Sequence, residues 1–223
     1  MSDGAARFAA RYPVVWHVIE AEGAGPWLAA SGLLPAASLL RLAGIAADGA
    51  NRDDFLPLAF GGGRVAVLRQ QLMADRWLMP TLAGAYAGQP AAWRSHINAH
   101  VFFWTEERRR DAFLRACLRL RSRSLAAPGS AAPRVLTLDT ASLLGRHGEL
   151  AFFAHINTGS TVRGGARTRR DETTLAPLTR YRSGTVAELA IRGRVELDRL
   201  DAGAGRPVNV HVVPRAGRDQ PLG

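Results

Sequence analysis

Two polar residues interrupt runs that are otherwise apolar and strand-prone. His17 stands in Val-Val-Trp-His-Val-Ile, residues 14–19, and Glu188 stands in Thr-Val-Ala-Glu-Leu-Ala-Ile, residues 185–191. If the second run is extended, Glu188 shares a face with Val186 and Ala190, while Ala187, Leu189 and Ile191 line the other, so both faces read as buried. An ionised carboxylate in such a place is costly unless it is paired, hydrogen-bonded or meets a ligand. The pattern leaves two uses open: a ligand-facing carboxylate, or one resting against nearby Arg192 or Arg194. His17 likewise reads as a satisfied core histidine or as a ligand contact.

Other residues carry weaker chemical signals. Asn-Thr-Gly-Ser-Thr at 157–161 follows a strand-like run and suits contact with ribose or phosphate, or an ordinary turn. Arg163, Arg167, Arg169, Arg170, Arg180 and Arg182 form the densest basic stretch and predict an anion-binding loop or a solvated one. The triplet Gly61-Gly62-Gly63 lacks the lysine and hydroxyl residue of a P-loop. Glu196 is a rival carboxylate, read as exposed because Asp198 and several arginines surround it. The histidines show no His-Glu-x-x-His spacing, so no metal is expected, and no Gly-x-Ser-x-Gly elbow is present.

The elements that must position these residues follow from periodicity. Strands are expected at 14–19, 64–68, 100–104, 134–139, 151–156, 185–191 and 208–213. Pro26 can open a helix that Gly32 ends, and Pro35 another over 36–43 that Gly44 closes. Residues 45–63 read as loop, 69–86 as helical but broken near Pro80, and 126–133 as loop. Thr105 is a ready N-cap for a helix over 106–121, with Phe113, Leu114, Cys117 and Leu118 at helical spacing. Helices crowd the first half and strands the second, an α+β order.

The 223 residues suit a single domain, 1–223, with flexible ends at about 1–10 and 214–223. No apolar run is long enough for a membrane span and the N-terminus lacks a signal-peptide core, which predicts a cytoplasmic protein. The single cysteine, Cys117, reads as a buried structural thiol. The net charge of +10 comes from arginine alone, since the chain contains no lysine. Arginine forks suit phosphate, which favours anionic partners such as nucleic acid, and the same composition also arises from coding bias.

The segment WHVIEAEGAGPWLAASGLLPAASLL resembles the opening of the ADP-ribosyltransferase fold as seen in DarT-like DNA ADP-ribosyltransferases and RNA 2′-phosphotransferases. HVFFWTEERRRDAFLRA resembles the second strand and helix of that fold, and TVAELAIRGRV its final Ala-Glu-aliphatic motif. Over nearly its whole length the chain is also similar to an uncharacterised bacterial family of domains of unknown function.

The resemblance implies two small packed β-sheets with helices mainly from the N-terminal half, and NAD as substrate without a metal. It implies catalysis by Glu188, which would hold the ribose 2′-hydroxyl and stabilise positive charge as the nicotinamide bond breaks. His17 would bind the adenosine-side ribose, Phe103 or Trp104 would stack on nicotinamide, and Arg69 would meet the pyrophosphate. Asn157 and Ser160 would complete cofactor binding, and Arg167, Arg169 and Arg170 would hold an acceptor, DNA or RNA among the expected ones. Where many members carry Tyr in the second strand, this chain has Phe-Phe-Trp, keeping the ring and losing a hydroxyl. Two other activities fit: an RNA 2′-phosphotransferase-like enzyme, or an inactive basic module that binds nucleic acid.

Overall fold

In a computed structural model the described residues are 1–20, 32–46, 49–61, 64–121, 133–159, 168–197 and 209–212. The expected helix between Pro26 and Gly32 and the expected loop 126–133 fall largely outside them. In chain order the elements are α1 (Asp3–Arg11), β1 (Val14–Ile19), α2 (Ala36–Leu42), β2 (Leu56–Phe60), β3 (Arg64–Leu68) and α3 (Asp75–Leu78). There follow α4 (Pro90–Asn98), β4 (His100–Trp104), α5 (Glu107–Arg121), β5 (Arg134–Asp139), α6 (Thr140–His147), β6 (Ala151–Ala154), β7 (Ala176–Pro177), β8 (Glu188–Arg192) and β9 (Asn209–Val212).

Seven strands form one antiparallel sheet in the order β7-β6-β8-β4-β1-β5-β9, and β2 and β3 form a separate hairpin. This α+β architecture replaces the expected pair of small packed sheets. The seven-stranded sheet is nevertheless nearly parted in the middle. β1 and β5 pair along six registered positions and β4 and β8 along five, whereas β1 and β4 share the single pair Trp16↔Trp104. Beside it the His17 imidazole reaches the Phe102 carbonyl of β4 with Nδ1 at 2.7 Å. A side chain thus bridges strands whose backbone ladder has stopped.

The alternation of each strand splits the core. On one face Val15, Val101, Phe103, Leu136, Leu138, Leu189 and Ile191 pack with α1 and α6 through Phe8, Leu143 and Leu144. On the other, Val18 and Val135 meet Leu114 of α5, with Trp16, Trp104 and Phe113 around them.

The N-terminus, expected to be flexible over 1–10, is instead the helix α1. Ser2 caps it by accepting from the Ala5 amide, and Phe8 is completely buried, worth about 2–3 kcal/mol by apolar transfer. Gly4 lets this helix lie against the chain at 178–179, because a Cβ there would run into the Leu178 carbonyl oxygen. The region 45–63, expected as loop, contributes β2. Pro90 opens α4, which periodicity alone did not reveal, and Asp139 caps α6 through the Ser142 amide. The broken pattern over 69–86 resolves into α3 and two 3₁₀ turns, Met79–Thr81 and Gly84–Tyr86. Among the described residues no helix is long and apolar enough to cross a membrane.

Candidate functional site

A cavity of about 630 Å³ opens at the parting of the sheet, within the range of small-molecule sites. Its wall includes His17, Glu20, Arg69, Trp104, Arg109, Asn157, Thr158 and Glu188, contributed by β1, β4, α5 and β8 and by the segments that follow β1, β3 and β6.

Glu188 is the first residue of β8, opposite Trp104 on one side and Ala154 on the other. Directly opposed residues of antiparallel strands point to the same face, so its carboxylate shares a face with the Trp104 ring. It is 5 % exposed. Thr158 holds it with two donors on one oxygen: the backbone amide at 2.9 Å and the hydroxyl at 2.8 Å to Oε2. Oε1 has no hydrogen-bond partner among the described residues. Burial pushes the carboxyl up to about 7, against the Thr158 hydrogen bonds and the more distant charges of Arg109 and Arg170, which pull it down. Neither Arg192 nor Arg194 is the partner.

His17 lies on the opposite side chain row of β1, with Val15, and its ring is 5.6 Å from that of Phe103. The open sheet brings it to the same cavity wall as Glu188. With each registered pair about 5 Å apart, the Trp16–Trp104–Glu188 row sets the two strands about 10 Å apart. Burial, helped by the charge of Arg69, lowers the His17 pKa to about 4. The ring is therefore neutral near pH 7, its Nδ1–H donates to Phe102, and Nε2 is left as an acceptor.

Phe103 and Trp104 part company. Phe103 has no exposed surface and belongs to the core under the sheet. Trp104 is half-buried on the Glu188 face, its ring 5.2 Å from Phe113. Arg69 follows β3 and is tied inward: Nε to Glu20 at 2.6 Å and Nη1 to the Val18 carbonyl at 2.9 Å, with its guanidinium over Phe113. Asn157 forms a tight turn by accepting from the Gly159 amide at 3.0 Å. Ser160 and Arg167 lie outside the described residues, as does Arg163.

Among the described residues the arginines of the basic stretch do not form one surface. Arg170 is fully buried, its backbone bridging Thr81 and Ala83, and its charge is felt by Glu188. It is a cation behind the carboxylate, which corrects its expected place on an acceptor-binding loop. Arg169 is exposed and paired with Asp171 at 3.2 Å, and Arg180 and Arg182 are exposed. Glu196 is half-buried, outside the cavity wall, and close enough to His147 to raise its pKa against the larger effect of burial.

Sequence reasoning missed several wall residues. Arg109, in the first turn of α5, spends only Nε on Glu106, at 2.9 Å. Arg52 and Gln71 converge on Asn98 Oδ1, at 3.5 and 3.1 Å, and burial lowers the Arg52 pKa to about 10. A signal existed for Glu20, an acid closing an apolar strand, but its partner lies 49 residues away. Cys117 is buried, as expected, and touches the same cavity. Among the described residues no group of three or more His, Cys, Asp or Glu side chains could hold a metal ion.

A family model described as a family of unknown function, DUF7002, matches residues 13–200. The chain belongs to the DUF7002 family. The matched span runs from the start of β1 past β8, so every wall residue named above in this DUF7002 chain falls inside it. No curated protein and no solved structure matches the chain.

Proposed function

We propose that this chain is a cytoplasmic NAD-dependent ADP-ribosyltransferase that uses the cavity at the sheet opening, with nucleic acid among its acceptors. The observation that carries the reading is Glu188: one carboxylate oxygen is pinned twice by Thr158, and the other has no hydrogen-bond partner among the described residues, on the wall of a cavity that also holds His17.

The reaction breaks the bond between ribose C1′ and the nicotinamide nitrogen, whose electron pair leaves with nicotinamide. Positive charge develops on the ribose ring. The acceptor nucleophile then bonds to C1′ and loses its proton. Glu188 Oε1 would hold the ribose 2′-hydroxyl and stabilise that charge, in a site dry enough for the effect to be large. His17, neutral, would accept a hydrogen bond from a ribose hydroxyl at Nε2. Trp104 is half-buried and suits ring stacking, whereas Phe103 borders the cavity with no exposed surface, as part of the core. Arg69 has its charge matched by Glu20, so Arg109, with two terminal nitrogens unpartnered among the described residues, is the better contact for a cofactor phosphate.

The ionised carboxylate is the active form in this scheme, so turnover should rise with pH through about 7. The test is nicotinamide release from NAD by the pure protein, alone and with single-stranded DNA or RNA. Wild type should turn over, and Glu188→Gln should retain NAD binding while release falls about a hundredfold or more. Binding of nucleic acid with NAD left intact would replace this reading with a binding module. NAD consumption that requires 2′-phosphorylated RNA would replace it with a phosphotransferase.

A further inference from the structure

The helix α5 carries six arginines, Arg108, Arg109, Arg110, Arg115, Arg119 and Arg121, against two acids, Glu107 and Asp111. Their placement is not uniform. Residues 109, 113, 116, 117 and 120 line the cavity. Beyond Glu107, the exposed positions are Arg108, Ala112, Arg115 and Arg119, spaced by four, three and four, which is one stripe along a helix. Ala112 belongs to both sets: it is exposed and it lines the cavity. The stripe of arginines therefore runs along the rim of the opening rather than on a remote surface. At 1.5 Å per residue it spans about 16 Å from Arg108 to Arg119. At its start Arg109 turns from the rim into the cavity, where its charge reaches Glu188.

We propose that this arginine stripe is the docking surface for the phosphodiester backbone of a single-stranded nucleic acid, which it delivers to the cavity beside Glu188. The proposal rests on the transferase reading for the strand's role as acceptor, while the binding itself stands on the rim alone. Three features select this partner. The cations are all guanidinium groups, whose forks match phosphate oxygens. Arg115 has no ionic partner among the described residues, and Arg108 commits only its Nε to Glu106, at 3.0 Å. A cavity of about 630 Å³ admits one unstacked nucleotide and not a duplex. The described arginines of the 168–182 stretch offer no such track, since Arg170 is buried and none of Arg169, Arg180 and Arg182 lines the cavity.

The experiment is fluorescence anisotropy with a labelled twelve-nucleotide single-stranded DNA, its RNA counterpart, the corresponding duplex and an acidic peptide of equal charge, each over a range of salt. NAD is omitted, so the outcome is independent of turnover. The triple variant Arg108→Ala, Arg115→Ala, Arg119→Ala should bind the single strands at least tenfold more weakly at about 0.1 M salt. Its salt slope should be shallower by about 2, the loss expected for three phosphate contacts on a single strand. The pair Arg180→Ala, Arg182→Ala should bind as wild type does. An unchanged slope in the triple variant, a loss confined to the Arg180 and Arg182 pair, or duplex or peptide binding as tight as the single strands would each overturn the proposal. Should the triple variant not fold, Arg115→Gln alone decides: a slope lower by about 0.7 supports the track, and an unchanged one removes it. Strand binding through the stripe without nicotinamide release would leave the docking surface standing and sink the transferase reading.

Discussion

Glu20 and Glu188 are both buried carboxylates on the wall of one cavity, and the two regions that hold them treat the charge in opposite ways. On the β1 side Glu20 meets the Arg69 guanidinium at 2.6 Å, and the Glu20 side chain is 2 % exposed. On the β8 side the partner that Glu188 meets among the described residues is neutral, Thr158, with Arg109 and Arg170 acting from farther off, and its pKa rises to about 7. A carboxylate in direct contact with a cation spends its charge on holding the fold. One supported by hydrogen bonds and distant charges keeps a reactive oxygen and sits near its titration point at neutral pH. In the proposed transferase reading, that difference assigns the chemistry to Glu188 and not to Glu20.

The largest effect expected from breaking this comparison is on stability at Glu20. Glu20→Gln leaves the Arg69 cation, with only 17 % of its side chain exposed, without its charge partner. Removing one member of a buried pair costs about 3 kcal/mol or more, so denaturant unfolding should show a loss of that order. A loss below about 1 kcal/mol would mean that Arg69 is served by solvent and that the two regions are alike.

A smaller effect, with the opposite sign, belongs to Glu188. Its folded pKa of about 7 lies above the reference value of 4.5, so the native state holds this proton more tightly than the unfolded chain. The stabilisation from this group is complete below pH 4.5 and is lost as pH rises through about 7, to the extent of about 3 kcal/mol. Glu188→Gln removes that loss. The variant should match wild type near pH 4 and exceed it by up to about 3 kcal/mol at pH 9, while its chemistry fails. Equal stabilities at both pH values would show that Glu188 is better solvated than its burial indicates.

The smallest effect sharpens the contrast. Glu196, half-buried and off the cavity wall, should tolerate Glu196→Gln with nicotinamide release within about twofold and stability within about 0.5 kcal/mol. Loss of nicotinamide release on that change would move the proposed catalytic role from Glu188 to Glu196.

Much of the frame was legible in the chain. The expected strands at 14–19, 64–68, 100–104 and 134–139 match the structure residue for residue, and the helix expected at 106–121 begins at Glu107. These runs have dense, regular apolar spacing. The helix α1 was missed because its buried positions, Ala5, Phe8 and Ala9, are small or few, and only contact with α6 and the 178–180 turn makes the segment worth ordering. Pattern also showed that Glu188 and His17 were out of place in their strands. It could not tell Phe103 from Trp104, since alternation puts them on opposite faces and only the pairing with β8 says which face holds Glu188.

By itself the sequence determined the α+β order, the main strands, the helix after β4, the arginine-only charge and the two polar residues misplaced in apolar strands. Each depends on neighbours within a few positions, where periodicity and side-chain chemistry act directly. Tertiary structure alone decided that Thr158 supports Glu188 across 30 residues, that Arg69 belongs to Glu20 across 49, and that Arg170 is buried rather than offered to solvent. It also decided that the sheet opens between β1 and β4, where one registered pair remains. Such pairings are selected by burial, because a charge or donor removed from water takes whichever partner the packing brings within reach, and chain separation carries no record of that choice.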